Sequence, residues 1–161
     1  MQIRQARPAD EAALRQIDTA TWTADSSPAP PRSPDRPFFS DRTQPEDVLV
    51  AVADGQVIGY VHLEQASAIP SHQHVLDVSG LAVDPAQQGH GAGRLLMEAA
   101  VEQARLRGAR KLALRVLGPN DRARRLYESC GFQVEGVLHG EFHLRGRYVD
   151  DVLMARVLTA R

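Results

Sequence analysis

Asp84-Pro85-Ala86-Gln87-Gln88-Gly89-His90-Gly91-Ala92-Gly93-Arg94-Leu95-Leu96 joins an apolar run with strand character, Val75 to Val83, to an amphipathic helix. Three glycines at alternate positions strip side chains from the turn, so backbone N–H groups can converge on an anion. The helix behind them adds the positive end of its dipole. Strand, bare turn and helix N-terminus together predict a phosphate cradle. Glycine-rich strand-to-helix turns also arise for purely steric reasons, so the run needs a second signal beside it.

Outward from this run the chain alternates strands and helices. Gln2 to Ala6 reads as a short first strand, and Pro8-Ala9-Asp10-Glu11 opens a helix carrying Ala13, Leu14 and Ile17 at helical spacing. Six prolines between Pro28 and Pro45 exclude a regular helix or central strand, so residues 23–45 are expected to form a long loop, with a short helix near Phe38 and Phe39. Val48 to Ala53, Asp54-Gly55 and Val57 to Leu63 make a hairpin with favoured two-residue turn chemistry. Gly80 inside the Val75 to Val83 strand predicts a bulge. The glycine-run helix extends to about Arg107 and stops at Gly108. Lys111 to Leu117 is a strand, and Asn120 to Cys130 a helix with Asn120 as N-cap and Gly131 as terminator. Phe132 to Phe142 and Tyr148 to Val157 close the chain as antiparallel strands around the Gly146 turn.

At 161 residues, with 43% hydrophobic and 24% charged residues, the chain fits one soluble globular domain over 1–161. A formal net charge of −1 gives no global case for nucleic acid or membrane. The single cysteine, Cys130, excludes an internal disulfide framework and a cysteine-rich metal site. The N-terminus lacks the apolar stretch of a signal peptide, and no segment approaches the ~20 apolar residues of a membrane span. A cytoplasmic protein is expected.

Which phosphate the cradle holds depends on the residues just after the glycines. A P-loop needs Gly-Lys-Ser/Thr, but Gly93 is succeeded by Arg94-Leu95. A dinucleotide fingerprint needs glycine or alanine where Arg94 stands and an acid ~20 residues on, where Lys111 to Arg115 is basic. A second signature decides. Asn120, Ala123, Tyr127, Gly131 and Phe132 satisfy Asn-x-x-Ala-x-x-x-Tyr-x-x-x-Gly-Phe, and Gln88-Gly89-His90-Gly91-Ala92-Gly93 satisfies Gln/Arg-x-x-Gly-x-Gly/Ala. With Leu81 to Pro85, these runs resemble the GNAT superfamily of acyl-CoA N-acyltransferases along nearly the whole chain.

The resemblance implies an α/β fold: a mixed, largely antiparallel sheet of six to seven strands with a central parallel splayed pair, flanked by about four helices. It implies acetyl-CoA as cosubstrate, its pantetheine arm lying in the splay. Leu81, Ala82 and Val83 match the strand whose backbone pairs with that arm. Amides from Gln88 through Gly89, His90, Gly91, Ala92 and Gly93 to Arg94 match those that hold the pyrophosphate. Asn120 matches a contact from the far side of the splay, and Arg122 or Arg124 would attract the 3′-phosphate. Tyr127 matches the tyrosine facing the thioester sulfur. Asp77 stands where family members often carry a glutamate base. It reaches about one methylene less far, so a bridging water would be needed.

The chemistry explains these residue types. A lysine-like amine is mostly ammonium at pH 7 and needs a base, the carbonyl oxygen needs donors, and the departing thiolate benefits from a proton donor. Tyr127 also falls on the apolar face of its helix with Ala123, Leu126 and Cys130, where tyrosine is commonly core. Strand alternation puts Asp77 on the face of Ser79 and Leu81, unless a bulge at Gly80 shifts the register. Glu64, Glu141, His72 and His74 are rival bases. The histidines lack the companions of a metal site, so no metal is expected. The arginines between Arg105 and Arg125 have no interleaved aromatics, against nucleic-acid binding.

The acceptor is expected to be a small-molecule or peptide primary amine, such as an amino acid, a polyamine or a protein N-terminus. The 23–45 loop, with Trp22, Phe38 and Phe39, would wall its site, and Glu141, Asp150 and Asp151 would attract a cation. The exposed terminal strands allow a homodimer. The alternative is a non-catalytic acyl-CoA-binding or regulatory domain that keeps the cradle and lacks a working acceptor site.

Overall fold

The computed structural model describes residues 1–159. One seven-stranded sheet runs through it in the order β1-β2-β3-β4-β5-β7-β6. The strands are β1 (Gln2–Gln5), β2 (Val48–Ala53), β3 (Gln56–Gln65), β4 (Val75–Val83), β5 (Lys111–Leu117), β6 (Gln133–Leu144) and β7 (Arg147–Val157). Only β4 and β5 pair in parallel; every other neighbour is antiparallel. Three α-helices flank the sheet: α1 (Glu11–Thr21), α2 (Ala92–Leu106) and α3 (Asp121–Ser129). The expected fourth helix is absent among the described residues. Near Phe38 the chain bends instead, because the Phe38 and Phe39 N–H groups donate to the Glu11 carboxylate rather than to helical carbonyls.

Alternation along β3 sorts the core into two layers. Val61 and Leu63 point to α2 and join Leu96, Met97 and Ala100. Tyr60 points to the other face and packs with Leu14 and Ile17 of α1 and with Phe38. Both predicted hairpin turns form, with positive φ at Asp54 and Gly55 and at Arg145 and Gly146, matching the twist of the flanking strands.

Two irregularities at the sheet centre make the site. Residues Val75 to Val78 pair with Lys111 to Leu114, and there the parallel ladder stops. Beyond it β4 stays with β3 as far as Val83, while β5 stays with β7 as far as Leu117, so the two strands part. At the same level Leu63 pairs with Val78 but His62 pairs with Gly80, leaving Ser79 as the extra residue of a bulge. The bulge therefore lies beside Gly80, and it shifts the register. Asp77 faces the same side as its partner Glu64, with Gly80 opposite His62, whereas Leu81 faces the α2 side opposite Val61. Asp77 and Leu81 do not share a face.

Candidate active site

The cradle is built from its turn upward. The Asp84 carboxylate accepts from the Ala86 N–H at 2.9 Å, setting a tight turn at Pro85–Gln87. Gly89 and Gly91 then take φ of +84° and +85°, and a Cβ at either would meet nothing within 4 Å. Glycine is needed there for conformation and not for space. Gly93 differs: a Cβ on it would stand 3.2 Å from the Leu126 side chain, so its bareness sets the approach of α2 to α3. Among the described residues, no backbone N–H from Gln88 to Arg94 makes a hydrogen bond. Unengaged amides around a helix N-terminus suit a pyrophosphate. The Gln88 side chain braces the loop, donating to the Val83 carbonyl at 2.9 Å and accepting from Arg122 at 2.6 Å.

A cavity of about 840 Å³ runs from these amides through the splay to the α1 side. Leu81, Ala82 and Val83 border it, as do Gln88, Gly89, Gly91, Ala92, Gly93 and Arg94. Asn120 and Tyr127 close it from the β5 and α3 side. The Asn120 carboxamide oxygen caps α3 by accepting from the Ala123 N–H at 3.2 Å, which leaves its NH2 as the group available to a ligand. Arg122 reaches the cavity; Arg124 does not, but borders a separate depression with His139 and Asp150. His90 is exposed and does not border the cavity; its ring Nδ1 lies 3.3 Å from the Gln87 carbonyl within the same turn.

Tyr127 is buried, and among the described residues its hydroxyl has no hydrogen-bond partner. Burial, with the nearby Cys130, pushes its pKa up to about 12. The hydroxyl therefore keeps its proton at neutral pH and is available as a donor. Asp77 and Glu64 are pushed above the ordinary carboxylate range, in each case chiefly by burial, but neither borders the cavity. Glu141, His72 and His74 do not border it either. Asp151 is held by Arg115, and Asp150 accepts from the Gly140 N–H and His139.

One bordering pair escaped sequence reasoning. His62 is buried on β3, its Nδ1 is 2.6 Å from Ser79 Oγ, and its Nε2 is buried with no partner among the described residues. A histidine interrupting the apolar run from Val57 to Leu63 was the available signal. The α1 end of the cavity is bordered by Asp18, Thr21, Trp22, Arg32, Phe38 and Tyr60. Tyr60 donates to Asp18 at 2.7 Å, and Arg32 stands 3.7 Å from the same carboxylate. The proline-rich loop thus forms one wall. No group of three or more potential metal ligands occurs among the described residues, and none of their helices is long and apolar enough to cross a membrane.

Comparison with known proteins agrees with this fold. The chain is 31% identical over 160 residues to the L-amino acid N-acetyltransferase AaaT of Escherichia coli K12, covering 96% of each. Its fold is similar to that of smu.2055 from Streptococcus mutans UA159, with a TM-score of 0.86, 26% identity and coverage of 99% of this chain and 100% of that one. It also shares its fold with a phosphinothricin acetyltransferase from Sinorhizobium meliloti solved in complex with acetyl-CoA, at a TM-score of 0.81 and 20% identity over 98% and 88% of the chains. Residues 12–132 match the model of the acetyltransferase (GNAT) family, three quarters of the sequence and both of its signatures. The chain belongs to the acetyltransferase (GNAT) family.

Proposed function

We propose that this acetyltransferase moves the acetyl group of acetyl-CoA to the primary amine of a small zwitterionic compound of the amino-acid kind, by direct attack. The observation that carries the reading is the continuity of one cavity, from unengaged amides at the α2 N-terminus, past the buried Tyr127 hydroxyl, to a wall holding both an acid and a base. The amides of Gln88 to Arg94 hold the pyrophosphate. The free backbone edge at Leu81, Ala82 and Val83 and the Asn120 amide position the pantetheine arm in the splay. Tyr127 donates a hydrogen bond to the departing sulfur; full proton transfer would run from a phenol of pKa about 12 to a thiolate whose thiol has a pKa near 8.5. That transfer is uphill by itself, so the hydroxyl acts first by hydrogen bonding to the developing thiolate.

The acceptor end favours a molecule bearing its own carboxylate. Asp18 is already held by Tyr60 and Arg32, while the Arg32 side chain is half exposed and keeps donors for an anion. A polyamine would need several unpaired carboxylates there; besides Asp18 the wall offers only Asp25. The 31% identity to an L-amino acid N-acetyltransferase over 96% of each chain supports the same class. The non-catalytic alternative is not favoured, since the matched relative and family are acetyltransferases.

Thiol release from acetyl-CoA, measured against free amino acids, polyamines and peptides with free N-termini, tests the reading. The expected result is the highest kcat/KM with amino acids, lowered at least tenfold by Arg32→Ala through KM. Preference for polyamines, or equal rates with the variant, removes the zwitterionic acceptor. No thiol release with any amine, despite acetyl-CoA binding, restores the non-catalytic alternative.

A further inference from the structure

We propose that Ser79 and His62 form the proton relay that serves the attacking amine, with Ser79 Oγ meeting the amine and His62 Nδ1 receiving the proton behind it. The inference rests on the acetyl transfer proposed above. Three features point to it. The bulge that places Ser79 beside Gly80 sits where β4 and β5 part, so its exposed hydroxyl stands at the mouth of the splay. Bulges commonly re-aim one side chain next to a reacting centre. The Ser79 Oγ to His62 Nδ1 distance of 2.6 Å is that of a strong hydrogen bond. Both residues border the cavity, whereas Asp77, Glu64, His72 and His74 do not.

The two ends of the reaction then fall on opposite faces of the sheet. His62 shares the α1 face with Tyr60, where the amine enters; Tyr127 comes from the α3 side, where the sulfur leaves. Charged and titratable groups around His62 are Asp18 from α1, Arg32 from the loop, Asp47 before β2, Glu64 on its own strand, Asp77 on β4 and Arg107 after α2. Burial dominates over them and holds His62 below the ordinary histidine range, so it is neutral and able to accept at pH 7.

A neutral histidine held below the ordinary histidine range cannot by itself strip an ammonium, whose pKa lies well above it. The relay works instead on the minor neutral amine during attack, when the nitrogen becomes acidic. As the C–N bond forms, nitrogen gives its proton to Ser79 Oγ and Ser79 gives its own to His62 Nδ1. The C–S bond breaks with its electron pair going to sulfur, which leaves as a thiolate hydrogen-bonded to the Tyr127 hydroxyl and takes its proton from solvent. His62 returns the proton it received to solvent. The relay requires the Nε2–H tautomer, with Nδ1 as acceptor.

Two measurements decide. Nitrogen-15 NMR of the histidine rings in the intact protein, assigned with His62→Gln, reads the tautomer without any turnover. The relay expects Nδ1 unprotonated at pH 7.5, and a protonated Nδ1 overturns it. Where wild-type thiol release is measured, Ser79→Ala is expected to lower kcat at least tenfold with KM for acetyl-CoA within twofold, and Ser79→Thr to recover most of the loss. A smaller fall with Ser79→Ala overturns the relay while leaving acetyl transfer intact. In His62→Gln the break of the kcat profile that lies below the amine's own titration should vanish; a break that persists there removes His62 from the path. If His62→Gln does not fold, Ser79→Ala and Ser79→Thr still settle whether the relay operates.

Discussion

At the scale of single residues, Tyr127 illustrates how burial selects a chemical role. Its hydroxyl sits among apolar groups of α3, where the phenolate would lose its hydration, and the result is a pKa of about 12. A phenol that never ionises near neutrality cannot be the base, but it can meet a developing thiolate. Tyr127→Phe keeps the ring and its contact with Phe132 at 6.2 Å while deleting that donor. We expect kcat to fall at least tenfold and acetyl-CoA affinity to stay within twofold, read by thiol release and by calorimetric titration. The same burial has a consequence for stability. The folded pKa is raised above the unfolded value of 10, so the contribution is fully present below pH 10 and is lost as pH rises towards 12. Across that window wild type should lose up to roughly 2–3 kcal/mol more than Tyr127→Phe in denaturant unfolding. Parallel losses in the two proteins would mean that the hydroxyl is well solvated in the fold.

At the scale of elements, the turn before α2 shows which parts of a site a sequence reveals. Gln88 to Gly93 was readable because its cause is local: alternate residues without Cβ can take positive φ and bare their amides. The Asn120 cap and the Asp54-Gly55 turn were readable for the same reason. The bulge was half readable. Gly80 marked its position, but that Ser79 is the extra residue, and that Asp77 thereby leaves the face of Leu81, depends on the partner strand. His62 was missed because its importance arises only when β3 lies against β4. Local cause also makes the turn easy to test. In Gly91→Ala an L side chain must adopt φ near +85° with open space around it, so strain and not crowding is what is added. That strain is about 1–2 kcal/mol. Acetyl-CoA KM should rise about five- to thirtyfold with the amine KM unchanged, since 1.4 kcal/mol is tenfold in an equilibrium. An unchanged acetyl-CoA KM would show that these amides do not carry the pyrophosphate.

At the scale of the whole molecule, the proposed transfer puts donor and acceptor on opposite faces of the sheet, joined through the gap between β4 and β5. The donor side rests on the larger core of α2 and α3. The acceptor side rests on a smaller one, completed by the proline-rich loop. That loop carries no helix and no sheet strand between Thr23 and Gln44, so its shape depends on a few long-range ties. The principal one is Glu11, at the start of α1, whose two carboxylate oxygens accept from the Phe38 and Phe39 N–H groups at 2.7 and 3.0 Å. Phe38 in turn packs edge-on against Tyr60, which donates to Asp18. Such a chain of contacts across 27 residues leaves no periodic trace in the sequence, which is why a helix was expected there. Glu11→Ala removes both acceptors at once. Hydrogen bonds to a charged partner contribute about 1.5–3 kcal/mol each when buried, and partial exposure here lets water replace part of that. A loss of about 1–3 kcal/mol in global stability is expected. The more specific outcome is an asymmetry: KM for the amine should rise several-fold and proteolysis should begin within residues 23–45, while acetyl-CoA affinity holds. If both affinities weaken together, the loop is part of one cooperative fold and the two sides are not independently built; if neither changes, the wall stands without Glu11 and the acceptor is shaped by α1 and β3 alone.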